Sequence, residues 1–259
     1  MKYYLSGQAD ASFWQQVTVR RILVSLEASK TLANVITKQN SLLRAEDVMV
    51  DSGAFTVWNT GGTIDVNVRI QNYADIRQIL PEAHLINLDV IPGERGRKAT
   101  RQEALVACEA GWQNYLAFAR AGIKVLPVFH QLDEWEYLDR MMETSDYICV
   151  SPTNRAPTEY RKAWLDAVYA KVGTSVKTHS LAGSGRQLLE RYPFYSVDAT
   201  NWLKPVQYGQ SVLDGDLHTR SKPKGQSRVE ILAREIKQYE QIERDITKLW
   251  ERRGVVWKD

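Results

Sequence analysis

The chain has 259 residues with a formal net charge of +3, 44% hydrophobic and 25% charged residues. That describes an ordinary folded chain able to bury a large core, and excludes a highly charged disordered one. Two cysteines rule out a disulfide framework and a structural Cys-rich zinc site. No apolar run is long enough to span a bilayer, and Ser6-Gly7-Gln8-Ala9-Asp10 interrupts the N-terminus before a secretory h-region could form. A cytoplasmic protein without a membrane partner is therefore expected.

Short apolar or β-rich runs recur at Lys2 to Leu5, Arg21 to Leu26, Asp47 to Val50, His84 to Asp89, Lys124 to His130, Asp146 to Ser151, Lys177 to Leu181 and Phe194 to Asp198. Amphipathic helical segments fit between most of them: Leu32 to Leu43, Arg69 to Leu80, Thr100 to Ala121, Glu134 to Thr144, Thr158 to Val172 and Gly185 to Tyr192. Only a short helix around Phe13 to Val17 fits the first unit. Thr100 with Glu103 reads as a capping box, and Gly122 as a helix stop. Eight strands alternating with helices predict a single α/β domain over 1–259, a (β/α)8 TIM-type barrel over about 1–203. A doubly wound open sheet is the alternative. After the barrel come a basic loop, rich in Gly and Pro, and a long helix from about Arg228 to Arg253, together about 204–259. Val229, Ile231, Leu232, Ile236, Tyr239, Ile242, Ile246 and Leu249 recur at helical spacing, so one face of that helix should pack on the barrel.

In such a barrel the C-terminal strand ends converge on one rim, where chemistry is placed. Strand three delivers Asp51 and Ser52, strand four Asp89, strand five His130 and Gln131, strand six Ser151, strand seven Gly183 and strand eight Asp198. Each acid alone also suits a turn cap. Together, two opposed carboxylates can divide nucleophilic and general-base roles. Carboxylates, the Gln131 amide and the Phe55 ring suit a planar, nitrogen-rich ring. His130 alternates with Gln131 along the strand and so reads as structural. Trp58-Asn59-Thr60-Gly61-Gly62 reads as a mobile loop over the site.

These residues resemble a family, the tRNA-guanine transglycosylases and the short bacteriophage enzymes that put 7-deazaguanines into DNA. Asp51-Ser52-Gly53-Ala54-Phe55 is similar to the family's Asp-Ser-Gly-Gly-(Phe/Tyr) motif, with Ala54 in place of the second glycine. Leu88-Asp89 resembles the strand whose Asp reads the guanine edge, and Val128-Phe129-His130-Gln131 the strand ending in a base-binding Gln. Val150-Ser151-Pro152 stands where the family has a Gly-rich turn, without its glycines. His179 to Gly185 resembles the Leu-Met-Gly-Val-Gly turn, and Ser196-Val197-Asp198-Ala199 the nucleophile strand.

The resemblance implies Asp198 as nucleophile, Asp51 as general acid/base, and Ser52, Phe55, Asp89, Gln131, Ser151 and Gly183 as base-binding residues. The implied reaction exchanges guanine in DNA, or tRNA, for a preQ0-like 7-deazaguanine, with no metal or other cofactor. The family's zinc subdomain is absent, because no Cys follows Cys149, and the shorter chain favours the DNA enzymes. A barrel glycosidase using the same two acids with water as acceptor, and a binding module without turnover, are the competing readings. Basic residues near the rim, Arg95, Arg97, Lys98 and Arg101 and then His218, Arg220, Lys222, Lys224 and Arg228, are expected to contact the polymer's phosphates.

Overall fold

Strands of two to five residues alternate with helices through most of the chain. The computed structural model describes residues 1–7, 16–26, 45–94, 96–153, 157–181, 183–208 and 225–257, with the backbone of two further strands at Gln210–Leu213 and Asp216–Thr219. In chain order the elements are β1 (Lys2–Ser6), β2 (Arg21–Ser25), β3 (Asp47–Asp51), α1 (Ala54–Thr60), α2 (Val66–Ile79), β4 (His84–Leu85) and α3 (Arg101–Arg120). There follow β5 (Val128–His130), α4 (Trp135–Thr144), β6 (Tyr147–Ser151), α5 (Thr158–Val172), β7 (Lys177–Ser180), α6 (Arg186–Arg191) and β8 (Ser196–Ala199). A 3-10 turn (Asn201–Leu203), α7 (Lys204–Tyr208), the hairpin strands β9 (Gln210–Leu213) and β10 (Asp216–Thr219), and α8 (Arg228–Arg252) complete the chain.

The sheet is parallel with the order β4-β3-β2-β1-β8-β7-β6-β5. Each strand lies beside a neighbour in sequence, and β1 lies beside β8, the cyclic order of a TIM-like α/β fold. The sheet is curled. Leu126 N donates to Leu85 O at 2.7 Å and Asn87 N to Leu126 O at 2.9 Å, around a parallel bridge from Ile86 to Leu126.

Because side chains alternate across a strand, the curled sheet has two cores. Leu5, Ile22, Val48, Val50, Phe129, Ile148, Val150 and Val197 face outward to the helices, with Trp164, Leu165 and Val168 of α5 against them. Tyr4, Leu23, Met49, Ile86, Leu126, Val128, Tyr147, Cys149 and Tyr195 fill the interior.

The helices follow local chemistry. Thr100 and Glu103 form the reciprocal capping box that starts α3, and Gly122 takes a left-handed φ of 72° just past its end. α8 begins on a second such box, Ser227 with Glu230, and buries Ile231, Leu232, Ile236, Tyr239 and Ile246. Beyond α8, Trp257 packs edge-on against Tyr195, 5.9 Å between rings, and joins the interior cluster at the end of the sheet where the strands begin.

The structure departs from the sequence reading in three places. The expected strand His84 to Asp89 is ladder-paired over His84 and Leu85 only; Ile86 and Asn87 make single bonds to Val50 O and Leu126 O, and the chain leaves the sheet where Asp89 N turns back to Asn87 O at 3.0 Å. The expected loop at Trp58 to Gly62 is instead the end of α1, closed by left-handed Gly61 and fastened where the Trp58 indole donates to Gly93 O at 2.8 Å. The basic loop contains the β9/β10 hairpin, whose pairing of Leu213 with Asp216 leaves Asp214-Gly215 between the strands. The expected helix at Leu32 to Leu43 and most of that at Phe13 to Val17 lie outside the described residues.

α8 is tied to the first strands through Glu243, a buried carboxylate that accepts Tyr3 N at 2.8 Å and Arg21 Nη1 at 2.5 Å, with Arg20 at 3.6 Å. Removing one partner of a buried, bonded charge leaves the rest uncompensated. Glu243→Ala is expected to lower stability by about 3 kcal/mol, read as a fall in the urea midpoint at unchanged slope.

Candidate active site

Register fixes which side chains share the interior. Ser25 pairs with Asp51, Tyr4 with Asp198 and His130 with Ser151, and paired residues in parallel strands point to one face. Above the apolar layer of Met49, Ile86, Val128 and Cys149, the inward positions therefore turn polar at the C-terminal strand ends.

Asp198 is held from two sides. Ser6 Oγ donates to its Oδ2 at 2.7 Å, and His179 Nε2 lies 3.6 Å from its Oδ1. Ser6 is placed in turn by Trp202, whose indole donates to Ser6 O at 2.7 Å. Asp51 accepts Gly53 N at 3.1 Å. Gly53 itself takes a left-handed φ of 82°, a conformation open to glycine and strained for other residues, and so turns the chain from β3 into α1.

Burial, then the charge of Asp89, push Asp51 up to about 7, opposed by the Gly53 N–H and raised further by Asp198. The buried Cys149 thiol beneath is pushed well up by burial, then by Asp89, Asp51 and Asp198 in turn. One interior atom thus lies within electrostatic reach of all three acids, which share one end of the curled sheet.

Asp89 sits between elements. Ser52 Oγ lies 3.4 Å from its Oδ1 and His130 Nε2 2.9 Å from its Oδ2. Ser52 is fully buried and also accepts Ala54 N at 3.3 Å, starting α1. Inward parity on β5 belongs to Val128 and His130, so His130, read from sequence as structural, is the residue that meets the acids. Its other nitrogen, Nδ1, faces Asp133 Oδ2 at 3.3 Å, and its backbone N donates to the same oxygen at 2.8 Å. Burial opposes charge on this ring but is outweighed by Asp133 and then Asp89, leaving the imidazole raised to about 10. Asp133 escaped the sequence reading; its signal was the His-x-x-Asp spacing of a turn closed by a carboxylate.

The other expected residues are placed as follows. Gln131 is buried with its amide engaged, Oε1 accepting Thr153 N at 2.8 Å and Nε2 donating to Tyr160 O at 3.3 Å. It ties the end of β5 to the segments after β6. Ser151 is half-buried at the end of β6. Gly183 is buried, and a Cβ there would come within 2.1 Å of Ser180 Oγ, so the turn after β7 packs on bare backbone. Phe55 stands 57% exposed on α1, its ring 5.9 Å from that of Trp58.

Of the basic residues, Arg97 is locked to Glu103, Nη1 to Oε2 at 2.8 Å, and Arg101 reaches Glu134 at 3.4 Å. Lys98 is exposed. Arg95, Arg220, Lys222 and Lys224 lie outside the described residues, as does the side chain of His218. Among the described residues no group of three His, Cys, Asp or Glu could hold a metal ion, and no helix is long and apolar enough to cross a membrane.

No family model matches this chain, and no curated protein matches it. Among solved structures, one described as "Native KDPGal structure" is similar at a TM-score of 0.48 and 9% identity, covering 95% of each chain.

The arrangement offers a carboxyl poised to exchange a proton near neutrality, a second carboxylate oriented by a hydroxyl, and a third clamped by an imidazolium. Those groups can serve acid/base and nucleophilic chemistry.

Proposed function

We propose that this chain is a closed (β/α)8 guanine transglycosylase acting on DNA and inserting a 7-deazaguanine base of preQ0 type. The observation that carries the reading is Asp51, half-buried at the same end of the sheet as Asp198, within reach of its charge and with a proton affinity close to neutral. Edge-to-edge bonding through Leu126 supports the closed barrel. The order of motifs from Asp51 to Asp198 supports the family.

In this reaction an Asp198 oxygen attacks the sugar C1′ as the bond from C1′ to the guanine nitrogen breaks. Asp51 gives its proton to the departing ring, and a glycosyl ester of Asp198 remains. The incoming base then loses a proton to Asp51, attacks C1′ from the vacated side and releases the Asp198 carboxylate. Two inversions give net retention, as in glycosidases with a nucleophilic carboxylate. Asp89 accepts N–H groups of the bound ring, and exposed Phe55 offers a stacking face. The base must leave its stack to reach a barrel mouth, so flipped or single-stranded nucleic acid is the substrate form.

Incubation with labelled guanine and either duplex DNA, single-stranded DNA or tRNA tests this. Label incorporated into DNA is the expected result. Incorporation into tRNA alone would move the substrate, base release without incorporation would make the protein an N-glycosidase, and binding without either would make it a non-catalytic module.

A further inference from the structure

The exchange scheme uses Asp51, Asp89 and Asp198 and leaves out a group in direct contact with one of them. His130 is 14% exposed at its side chain, Asp89 11% and Asp133 3%. The three form a line, Asp133 Oδ2 to His130 Nδ1 at 3.3 Å and His130 Nε2 to Asp89 Oδ2 at 2.9 Å, ending where Ser52 Oγ meets Asp89 Oδ1 at 3.4 Å. We propose that His130, gripped by Asp133, is a positioning residue that clamps Asp89 against Ser52 and offsets that acid's charge beside Asp51.

The clamp follows from bond counting. An imidazolium donates from both nitrogens, so each can face a carboxylate without an acceptor left over, and Asp133 also takes the backbone N–H of His130 at 2.8 Å. The ring is thus fixed by the turn that ends its own strand. With one oxygen of Asp89 spent on His130, the other is fixed in direction toward Ser52 and the mouth. In the base-exchange reading, on which this role of Asp89 rests, that fixed oxygen selects the ring edge presented to it.

The offset follows from proximity. Asp51 feels Asp89 more than any other charge, then Asp198; Ser25 and the Gly53 N–H oppose them. Tyr73 of α2 and Cys149 of β6 also lie within reach, and burial keeps both neutral. The cation facing Asp89 from β5 is His130, and Asp133 faces that cation from the following turn. Without the ring, two carboxyls near one another hold a proton to higher pH, whichever of the two carries it.

Carboxyl and imidazole titrations by NMR on the free protein test the array without substrate, on wild type, His130→Gln and Asp133→Asn. In His130→Gln the Asp51 carboxyl should titrate about one pH unit higher, and the pH profile of base exchange should move with it. In Asp133→Asn the His130 imidazole should titrate lower, since it loses the first of its two anions. Thermal unfolding separates a collapsed variant from a folded one, and either folded variant suffices. An Asp51 titration unmoved in folded His130→Gln, or a His130 titration unmoved in folded Asp133→Asn, would overturn the proposal. Shifted titrations in a protein that never exchanges a base would instead overturn the transglycosylase reading and leave the array standing.

Discussion

Asp198→Asn is expected to abolish a trapped glycosyl adduct and to lower base exchange by roughly 10⁶-fold, the scale on which loss of a covalent nucleophile is felt. The fold should be untouched. Asn has the shape of Asp and its carbonyl can still accept the Ser6 hydroxyl that lies 2.7 Å from Asp198. An amide, however, cannot form the ester on which the first half-reaction depends. Polymer binding should persist, because no phosphate contact involves this side chain in the proposed scheme. Asp198 also helps to raise Asp51, so the variant's remaining acid should titrate lower than in wild type. A denaturing gel of protein with oligonucleotide, quenched during turnover, reads the adduct directly. Exchange at the wild-type rate by Asp198→Asn would remove the nucleophile assignment.

The sequence carries the scaffold more fully than the site. α5 matches its expected limits residue for residue, Thr158–Val172, because its apolar spacing is helical and Gly173 ends it. What periodicity does not carry is parity on strands buried on both faces. In Leu126-Pro127-Val128-Phe129-His130-Gln131 either alternate set could face inward, and the structure chooses the one ending in His130. Gln131 consequently faces the helix side and ties loops together. Nor does charge composition show which cations are spent. Arg97 stands in a basic cluster by sequence, yet Glu103, expected as half of a capping box, holds both its backbone partner Thr100 and this guanidinium. The Asp51 turn is legible for a different reason: an apolar run gives the strand whose ladder holds Asp51, and a glycine two residues on permits the left-handed φ that starts the next helix.

Asp51→Asn is expected to make the protein more stable above neutral pH while lowering exchange by about 10²- to 10⁴-fold, the usual contribution of a positioned acid/base. The opposed signs have one cause. Asp51 is raised from 3.8 to about 7 by burial, then by Asp89, so the folded protein keeps a proton that the unfolded chain has already lost. Stability therefore falls as pH rises from about 4 to about 7, by an amount on the order of 4 kcal/mol for a shift of this size, and stays low above. Asparagine has no proton to lose and can still accept the Gly53 N–H, so the variant escapes that decline. Urea unfolding at about pH 5 and about pH 8 should show the stability advantage of the variant growing with pH. The lost activity has the same origin, since a group that must protonate the leaving ring and then deprotonate the incoming one works best when its two forms are nearly balanced. A variant that is less stable than wild type at the higher pH, or that still exchanges bases normally, would show that Asp51 is neither strained by its neighbours nor used in proton transfer.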